Sequence, residues 1–422
     1  MDSNAFRSDA PGRLVQVTGY DRRIVRGLPQ AVPVETVAFV PNDLPPSGLD
    51  RSRFIGDLSE LLIDAQSKVS RLDGMLGSLP NPDLLLKPFR LREAKLSSRI
   101  ENTFASVQEI ALVDAGAAAP RDEVGEVHNY LRALQVGLES DLPLSVRLFQ
   151  QMHAALLKGV RGEEKQPGKL RDRLVCIGDE EHGFARARFV PPPHGETLER
   201  CLGTLEKFLN PDSGYTPAQT PRYPALIELA FAHYQFETIH PFNDGNGRLG
   251  RLLIPLSACK IGLLSQPVLY VSGYFEQHRS AYYDLLLRVS THGDWGSWVA
   301  FFLRGVASQA ADAVVRAGRL RVLREDYLEL VATKRASALG SRLVDMLFRH
   351  PAVTVQSVCS DLGITPPSAQ KHISNLDQHG ILREVTGGTY GRIWVASGIL
   401  AAVEAEEPAP PGTPSDAPPG AT

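Results

Sequence analysis

One short stretch of the chain carries the residue types and spacing that phosphate chemistry requires. Residues 240–251 read HPFNDGNGRLGR, between two apolar runs with helical spacing. Gly245, Asn246 and Gly247 interrupt those runs, which predicts a tight loop where backbone N–H groups can approach a ligand. The helix that follows adds free N–H groups and the positive end of its dipole. The stretch therefore predicts a helix, a phosphate-binding loop and a second helix.

The charged side chains of this stretch complete a reactive set. Arg248 and Arg251 are three residues apart, so they share one helical face and can clamp phosphate oxygens. A carboxylate beside a phosphate is repelled unless a divalent cation lies between them, and Mg²⁺ suits Asp244 in that role. His240 is the one neutral-pH base of the stretch. These groups together indicate phosphoryl or nucleotidyl transfer to a hydroxyl.

The stretch resembles the signature of the Fic family, His-x-Phe-x-[Asp/Glu]-Gly-Asn-Gly-Arg-x-x-Arg, with every fixed position filled. The resemblance implies transfer of AMP from ATP to a Ser, Thr or Tyr hydroxyl of a protein target, with self-modification as one outcome. It implies that His240 is the general base and that Asp244 holds Mg²⁺. The implied nucleotide contacts are Gly245, Asn246, Gly247, Arg248, Leu249, Gly250 and Arg251.

A second, shorter motif lies upstream, within a helix predicted over Leu91–Ala105. Ser97 and Glu101 are four residues apart and share a helical face, and Asn102 follows. In this context the segment resembles the family's inhibitory motif, [Ser/Thr]-x-x-x-Glu-[Gly/Asn]. The resemblance implies that Glu101 pairs with Arg251, whereas the alternative is a solvated glutamate.

A hairpin is predicted between the two motifs. Residues 169–178 and 184–190 read as short strands around a polar turn at 179–183. The pair resembles the Fic flap, which lies over the active site, and the alternative is an incidental surface hairpin. The resemblance places Ile177 and Gly178 against the nucleotide.

Aromatic residues follow the signature on another predicted helix. The resemblance implies that Tyr282 and Tyr283 enclose the adenine. Successive helical residues point in different directions, so one of the two must pack in the core. His128 and His153 lie among apolar neighbours and are interpreted as packing histidines.

Bulk properties exclude several classes of protein. The chain has 422 residues, which predicts two or three domains, and its 43% hydrophobic residues are typical of a soluble protein. Its net charge of -3 predicts no overall electrostatic attraction to nucleic acid or to an anionic membrane. Its four cysteines form no CxxC pair, which argues against a disulfide framework or zinc cluster. The apolar run 252–264 is too short to span a bilayer and no signal segment is evident, so we expect a cytoplasmic protein.

The predicted fold class is mainly α, a Fic-type helical core with a β-hairpin flap, followed by a small α+β winged helix-turn-helix domain. A helix at 355–362, a turn, a helix at 366–379 and a wing at 382–395 predict that last domain. The predicted divisions are an irregular N-terminal arm (1–50), a helical region with the inhibitory helix (51–115), the Fic core (116–310), a connecting helix (311–336), the winged domain (337–400) and a disordered tail (401–422).

Other functions are compatible with the same sequence. The winged domain has few basic residues, so DNA binding through it competes with protein interaction or formation of a homodimer. One rival is a DNA-binding regulator that uses the core as a nucleotide sensor. His240 weighs against pure sensing, because phosphate binding needs no base. A second rival removes AMP from a target, with Glu101 positioning the water.

Overall fold

The computed structural model describes residues 1–25, 28–77, 83–178, 183–211, 222–332, 338–388 and 391–405. The described chain is mainly helical, and its small sheets lie in three places: the N-terminus, the flap and the C-terminal module.

The N-terminal segment is a long hairpin, which corrects the prediction of an irregular arm. Strand β1 (Gly12–Val25) pairs antiparallel with β2 (Leu28–Pro41), from Gly12 opposite Pro41 to Val25 opposite Leu28. The prolines of β2 suggested irregular structure. In a two-stranded ribbon, however, each strand has a free edge, where a residue without an N–H group is tolerated.

The helices before the core carry the second motif. The helix predicted to be inhibitory, α3 (Asp83–Ile100), begins earlier than predicted and ends at Ile100, because Asn102 adopts a left-handed conformation with φ 58°. Glu101 therefore lies just past the last helical turn. The helices of this region are α1 (Arg51–Asp57), α2 (Ser59–Gly77), α3 (Asp83–Ile100), α4 (Val107–Asp114), α5 (Asp122–Glu139) and α6 (Val146–Leu156). The two prolines in residues 79–83 predict a break between α2 and α3, and most of that stretch lies outside the described residues.

The core holds the two helices that frame the signature. Helix α8 ends at Ile239 and α9 begins at Asn246, so the loop between them is six residues of the signature, 240–245. The core helices are α7 (Glu196–Leu209), α8 (Ala225–Ile239), α9 (Asn246–Lys260), α10 (Ser272–Gln277), α11 (Arg279–His292) and α12 (Trp295–Val331). The prolines of residues 210–224 predict a loop between α7 and α8, and most of that stretch lies outside the described residues.

Helix α12 is one continuous helix of 37 residues, so the end of the core and the predicted connecting helix are the same element. By length and composition it could cross a membrane, but 56% of its most apolar window is buried within the fold. Trp298 and Phe302 are fully buried there. The burial is that of a core helix.

The flap is shorter than predicted. Strand β3 covers only Ile177–Gly178 and pairs with β4 (Ala187–Phe189), which follows a 3-10 turn at Gly183–Arg186. Residues 169–176 form no strand. Of the polar turn predicted at 179–183, residues 179–182 lie outside the described residues and Gly183 begins the 3-10 turn.

The C-terminal module joins helices and a three-stranded antiparallel sheet of order β5-β7-β6. Helices α14 and α15 are joined at Gly363, whose φ of 68° suits glycine. The predicted wing turn is described only in part. Residues 401–404, predicted to begin a disordered tail, instead form the end of helix α16, and the tail beyond 405 is not described. The elements are α13 (Ala338–Arg349), β5 (Ala352–Val353), α14 (Val355–Leu362), α15 (Pro366–Gln378), β6 (Arg383–Glu384), β7 (Trp394–Val395) and α16 (Ser397–Glu404).

This module shares its core with the rest of the chain. Its buried Leu347 and Leu400 belong to one hydrophobic cluster with Leu91 of the inhibitory helix. Helices α13 and α16 both contact α3. The C-terminal module is therefore packed on the inhibitory helix rather than attached only through α12.

Candidate active site

The signature loop lies at the floor of a large cavity of ≈ 1280 Å³. The flap and the N-terminal hairpin form part of its wall. Most of the residues predicted from the sequence line it: Glu101, Ile177, Gly178, His240, Asp244, Gly245, Asn246, Gly247, Arg248, Arg251 and Tyr283.

The loop is held in the shape of an anion nest by its own residues. Gly245 is left-handed at φ 76° and precedes α9, whose N-terminus has no side-chain cap. The Asn246 side chain accepts a hydrogen bond from Phe242 N and donates one to Phe242 O, both at 2.9 Å. The first N–H groups of α9 therefore face the cavity without a capping side chain, as phosphate binding requires.

Arg248 is buried beside this nest and is held by carboxylates. Its Nη1 lies 3.4 Å from Glu126 Oε2, and its Nη2 lies 3.6 Å from Asp244 Oδ1. Burial raises the pKa of Glu126, although Arg248 and Arg161 oppose that shift. The Nε atom of Arg248 is buried without a hydrogen-bond partner among the described residues.

Arg251 makes the contact that the second motif predicts. Its Nη2 donates to Glu101 Oε1 at 2.8 Å, and its Nε donates to Ser97 Oγ at 2.8 Å. The Ser97 carbonyl also accepts from Nη2 at 2.9 Å. Arg251 has a side-chain exposure of 1%, whereas Glu101 retains 36%. A buried cation is thus neutralised by a carboxylate that lines the cavity.

Glu101 also covers the start of α9. A Cβ placed on Gly247 would lie 2.3 Å from Glu101 Oε1. Burial opposes ionisation of Glu101, but the guanidiniums of Arg251 and Arg248 outweigh it and lower the pKa of Glu101. The carboxylate is therefore an anion in the space where the nest would hold a phosphate.

His240 stands at the entrance of the loop in a left-handed conformation, φ 50° and ψ 63°. Its Nδ1 lies 3.3 Å from the Glu237 carbonyl. A carbonyl can only accept, so Nδ1 carries the proton and Nε2 keeps its lone pair. Burial, reinforced by the charge of Arg171, lowers the pKa of His240 to about 4. The imidazole is therefore neutral at pH 7 and able to take a proton.

A second histidine fixes the other end of the loop. His153 Nδ1 accepts from Gly168 N at 2.8 Å, so its Nε2 carries the proton and donates to the Asp244 carbonyl at 2.9 Å. Its ring stacks on Phe242 with centroids 3.9 Å apart. The prediction of a packing histidine is confirmed, and the structure adds that His153 ties the backbone of Asp244 in place.

Asp244 offers one hard oxygen ligand towards the cavity. Its Oδ1 accepts from Gly245 N at 2.5 Å, and 43% of its side chain is exposed. The described residues hold no group of three or more His, Cys, Asp or Glu side chains arranged for a metal. A single carboxylate suits Mg²⁺ that arrives with phosphates and keeps several waters.

Three predicted nucleotide contacts lie outside the cavity lining. Tyr282 is 1% exposed and its hydroxyl bonds to His233 Nε2 at 2.9 Å, so it is the packing member of the tyrosine pair. Leu249 is fully buried on the inner face of α9. Gly250 packs against Glu237, and a Cβ there would lie 2.3 Å from Glu237 Oε1. These residues shape the site from behind it.

The N-terminal hairpin supports the flap. The backbone N of Phe184 donates to Asp21 Oδ1 at 2.8 Å, and Phe39 N donates to Val190 O at 2.9 Å. Asp21 is buried and lines the cavity. The flap is thus held in place by contacts with β1 and β2.

Glu126, Arg171 and the contact between the hairpin and the flap were not predicted from the sequence as parts of the site. Glu126 and Arg171 are single charged residues in otherwise ordinary segments. Their burial, 1% and 2% exposed, is what sets them apart, and it is a property of the folded chain.

Comparisons with known proteins agree on the core. Residues 59–139 match the model described as Fic/DOC family N-terminal, and residues 143–257 match the model described as Fic/DOC family. The "Protein adenylyltransferase Fic" of Culex quinquefasciatus is 36% identical over 209 residues, covering 47% of this chain and 36% of that protein. The "Protein adenylyltransferase fic-1" of Caenorhabditis briggsae is 27% identical over 224 residues, covering 51% and 38%.

The chain thus spans less than two fifths of the length of these curated relatives. Among solved structures, a Fic family protein from Desulfovibrio desulfuricans G20 superposes with a TM-score of 0.51 at 18% identity, covering 81% of this chain and 95% of that one. That likeness supports the same fold. The N-terminal hairpin lies outside both matched ranges.

Proposed function

Because this chain belongs to the Fic/DOC family through its domains at 59–139 and 143–257, we propose that it transfers AMP from ATP to a hydroxyl of a protein target. The curated relatives named above are called protein adenylyltransferases, and they share this part of the chain. The proposal extends that activity to this protein and takes a Ser, Thr or Tyr side chain as the acceptor.

ATP binds with its phosphates in the nest at the start of α9. The uncapped N–H groups and the guanidiniums of Arg248 and Arg251, which line the cavity, together supply donors for several phosphate oxygens. Tyr283 lines the same cavity and provides an aromatic surface for the adenine ring of ATP.

His240 Nε2 takes the proton from the target hydroxyl as its oxygen attacks the α-phosphorus. A new oxygen–phosphorus bond forms, the bond to the β-phosphate oxygen breaks, and pyrophosphate leaves. Base catalysis of this kind contributes typically ~10²–10⁴-fold. Asp244 would hold Mg²⁺, which when bound neutralises charge on the phosphates.

Glu101 inhibits this transfer. Its carboxylate pairs with the same Arg251 nitrogen that a terminal phosphate would use, and it lies over Gly247. Two anions cannot share that space, so ATP binds in this state with its phosphates displaced from the nest. A misplaced α-phosphorus can cost on the order of 10²-fold in rate.

The observation that carries the proposal is a half-buried, neutral His240, whose Nδ1 is bonded to the Glu237 carbonyl, beside the uncapped N-terminus of α9. The test is incubation of the protein, and of Glu101→Gly, with ATP labelled at the α- or the γ-phosphate. We expect α-label on protein and γ-label in released pyrophosphate. Label retained from the γ-position would indicate a kinase instead, and absence of both labels in the Glu101→Gly protein with ATP bound would refute transfer.

A further inference from the structure

Arg171 is a buried cation that binds carbonyls instead of a carboxylate. It is 2% exposed, and the described residues place no carboxylate within salt-bridge distance of it. Its Nε donates to His240 O at 2.8 Å, and its Nη2 donates to Pro192 O at 2.5 Å and to Ile239 O at 3.3 Å. Its Nη1 donates to Arg173 O at 3.2 Å. A buried charge without a counter-charge is costly, so its persistence calls for a role.

The carbonyls come from two separate parts of the site. Arg173 and Pro192 flank the flap, before β3 and after β4, while Ile239 and His240 end α8 and begin the signature loop. The backbone N of Arg171 adds a further hydrogen bond to the signature loop, to Pro241 O at 3.0 Å. One side chain therefore connects the base of the flap to the residue that carries the reactive imidazole.

The contact also stabilises an unfavourable backbone. His240 is a non-glycine residue at φ 50°, a left-handed conformation that is unfavourable for a residue with a Cβ. A guanidinium at the C-terminal carbonyls of α8 offsets that cost, because it neutralises the negative end of the helix dipole.

We propose that Arg171 is a positioning residue for AMP transfer, which fixes the imidazole of His240 relative to the flap on the facing wall of the cavity. The inference rests on the proposed function of that cavity. The target hydroxyl has to reach Nε2 between the flap and the loop, and Arg171 sets the separation of these two parts.

The charge of Arg171 has a second effect on the base. The charged groups that face His240 are the Arg171 guanidinium and the carboxylates of Glu101 and Asp244. Next to burial, Arg171 lowers the pKa of His240, whereas the two carboxylates raise it. Loss of the guanidinium should therefore raise the pKa of His240 towards its ordinary value of about 6.5 and move the acid limb of the rate profile upwards.

The test compares Arg171→Lys and Arg171→Met in the Glu101→Gly background, where transfer is measurable. Lysine keeps the charge but loses the planar fork that reaches several carbonyls. We expect both variants to lose on the order of 10²-fold in kcat while the ATP dissociation constant changes little. Only Arg171→Met should also shift the acid limb to higher pH.

Arg200→Lys is the matched control, because Arg200 is a surface arginine paired with Asp43 at 3.5 Å. It should keep parental kcat. ATP binding in each sample reports a folded site, and Arg171→Lys carries the test if Arg171→Met fails to fold. Parental kcat in Arg171→Lys, or a loss confined to ATP affinity, would overturn the inference. Absence of AMP transfer in the Glu101→Gly parent would instead overturn the proposed function.

Discussion

Gly247 has no room for a side chain because Glu101 lies directly over it. A Cβ there would fall 2.3 Å from Glu101 Oε1 and 3.0 Å from Arg251 Nη1. The same point in space is thus shared by the inhibitory carboxylate and, in our account, by a phosphate of ATP.

Gly247→Ala should lower ATP affinity whether or not Glu101 is present. The new methyl displaces the flexible carboxylate, yet it also fills the space that the phosphate needs. We expect at least a tenfold loss, about 1.4 kcal/mol, in both the parent and the Glu101→Gly backgrounds, measured by calorimetry. Unchanged ATP affinity in the Gly247→Ala, Glu101→Gly double variant would show that no phosphate sits at this position.

The two adjacent tyrosines should separate stability from nucleotide binding. Tyr282→Phe removes the hydroxyl that bonds His233 Nε2 at 2.9 Å and leaves a buried acceptor unsatisfied, a cost of about 1–3 kcal/mol. Tyr283→Ala removes a wall of the cavity and should raise the KM for ATP with a smaller effect on stability. Thermal unfolding of both variants measures the effect on stability, and steady-state kinetics measures the effect on the KM for ATP. The reverse assignment of effects would mean that Tyr282, not Tyr283, faces the nucleotide.

His233 should contribute a pH dependence to stability. Burial, aided by Arg251, lowers its pKa to about 3, and its Nδ1 lies 3.2 Å from Gly250 O. A histidine with a depressed pKa in the folded state stabilises the fold above its unfolded pKa of about 6.5, and that stability is lost as pH falls from there towards 3. His233→Gln should therefore lose less stability than the parent between pH 6.5 and pH 4.

Chemical denaturation at several pH values measures this difference. His379→Gln is the control, because His379 is exposed on the C-terminal module and bonds only the Asn375 carbonyl. Parallel stability curves for the parent and His233→Gln would show that His233 is not held neutral in the fold.

The C-terminal module should influence inhibition through α3. Arg316 is 2% exposed and its Nη1 donates to Val403 O at 2.5 Å and Ala405 O at 2.7 Å, which ties α16 to α12. Glu404 of α16 in turn pairs with Lys95 of α3. Arg316→Met should loosen α16 and with it α3, so that basal AMP transfer rises and the melting temperature falls.

The control for this variant is Arg321→Met, since Arg321 is exposed and its ion-pair partner among the described residues is Glu325, one turn away on α12. Its transfer rate and melting temperature should match the parent. If Arg316→Met lowers the melting temperature but leaves transfer as low as in the parent, α3 is held independently of the C-terminal module.

The sequence predicted the parts of the site whose function depends on residue type at fixed spacing. The loop, its arginines and the Glu101–Arg251 pair follow from two short motifs, and the structure places them together at 2.8 Å. Spacing alone could not tell Tyr282 from Tyr283, because the direction of each ring depends on how α11 packs.

The features that the sequence did not reveal depend on long-range contacts. The prolines of β2 read as irregular structure, although a two-stranded ribbon accepts them. Nothing in the sequence distinguishes Arg171 from a surface arginine, because its hydrogen bonds to the carbonyls of Pro192 and His240 form only in the folded chain. Separate segments at the two ends of α12 became one helix because the core and the C-terminal module pack along its whole length.

Transfer by His240 and its inhibition by Glu101 are tested together by incubating four proteins with ATP labelled at the α-phosphate. The four proteins are the parent, Glu101→Gly, His240→Ala and the double variant. We predict low labelling of the parent and an increase on the order of 10²-fold in Glu101→Gly, because Arg251 is freed for phosphate. His240→Ala should erase that increase while ATP binding is retained. Equal labelling of the parent and Glu101→Gly, or labelling of the double variant at the Glu101→Gly level, would contradict the account.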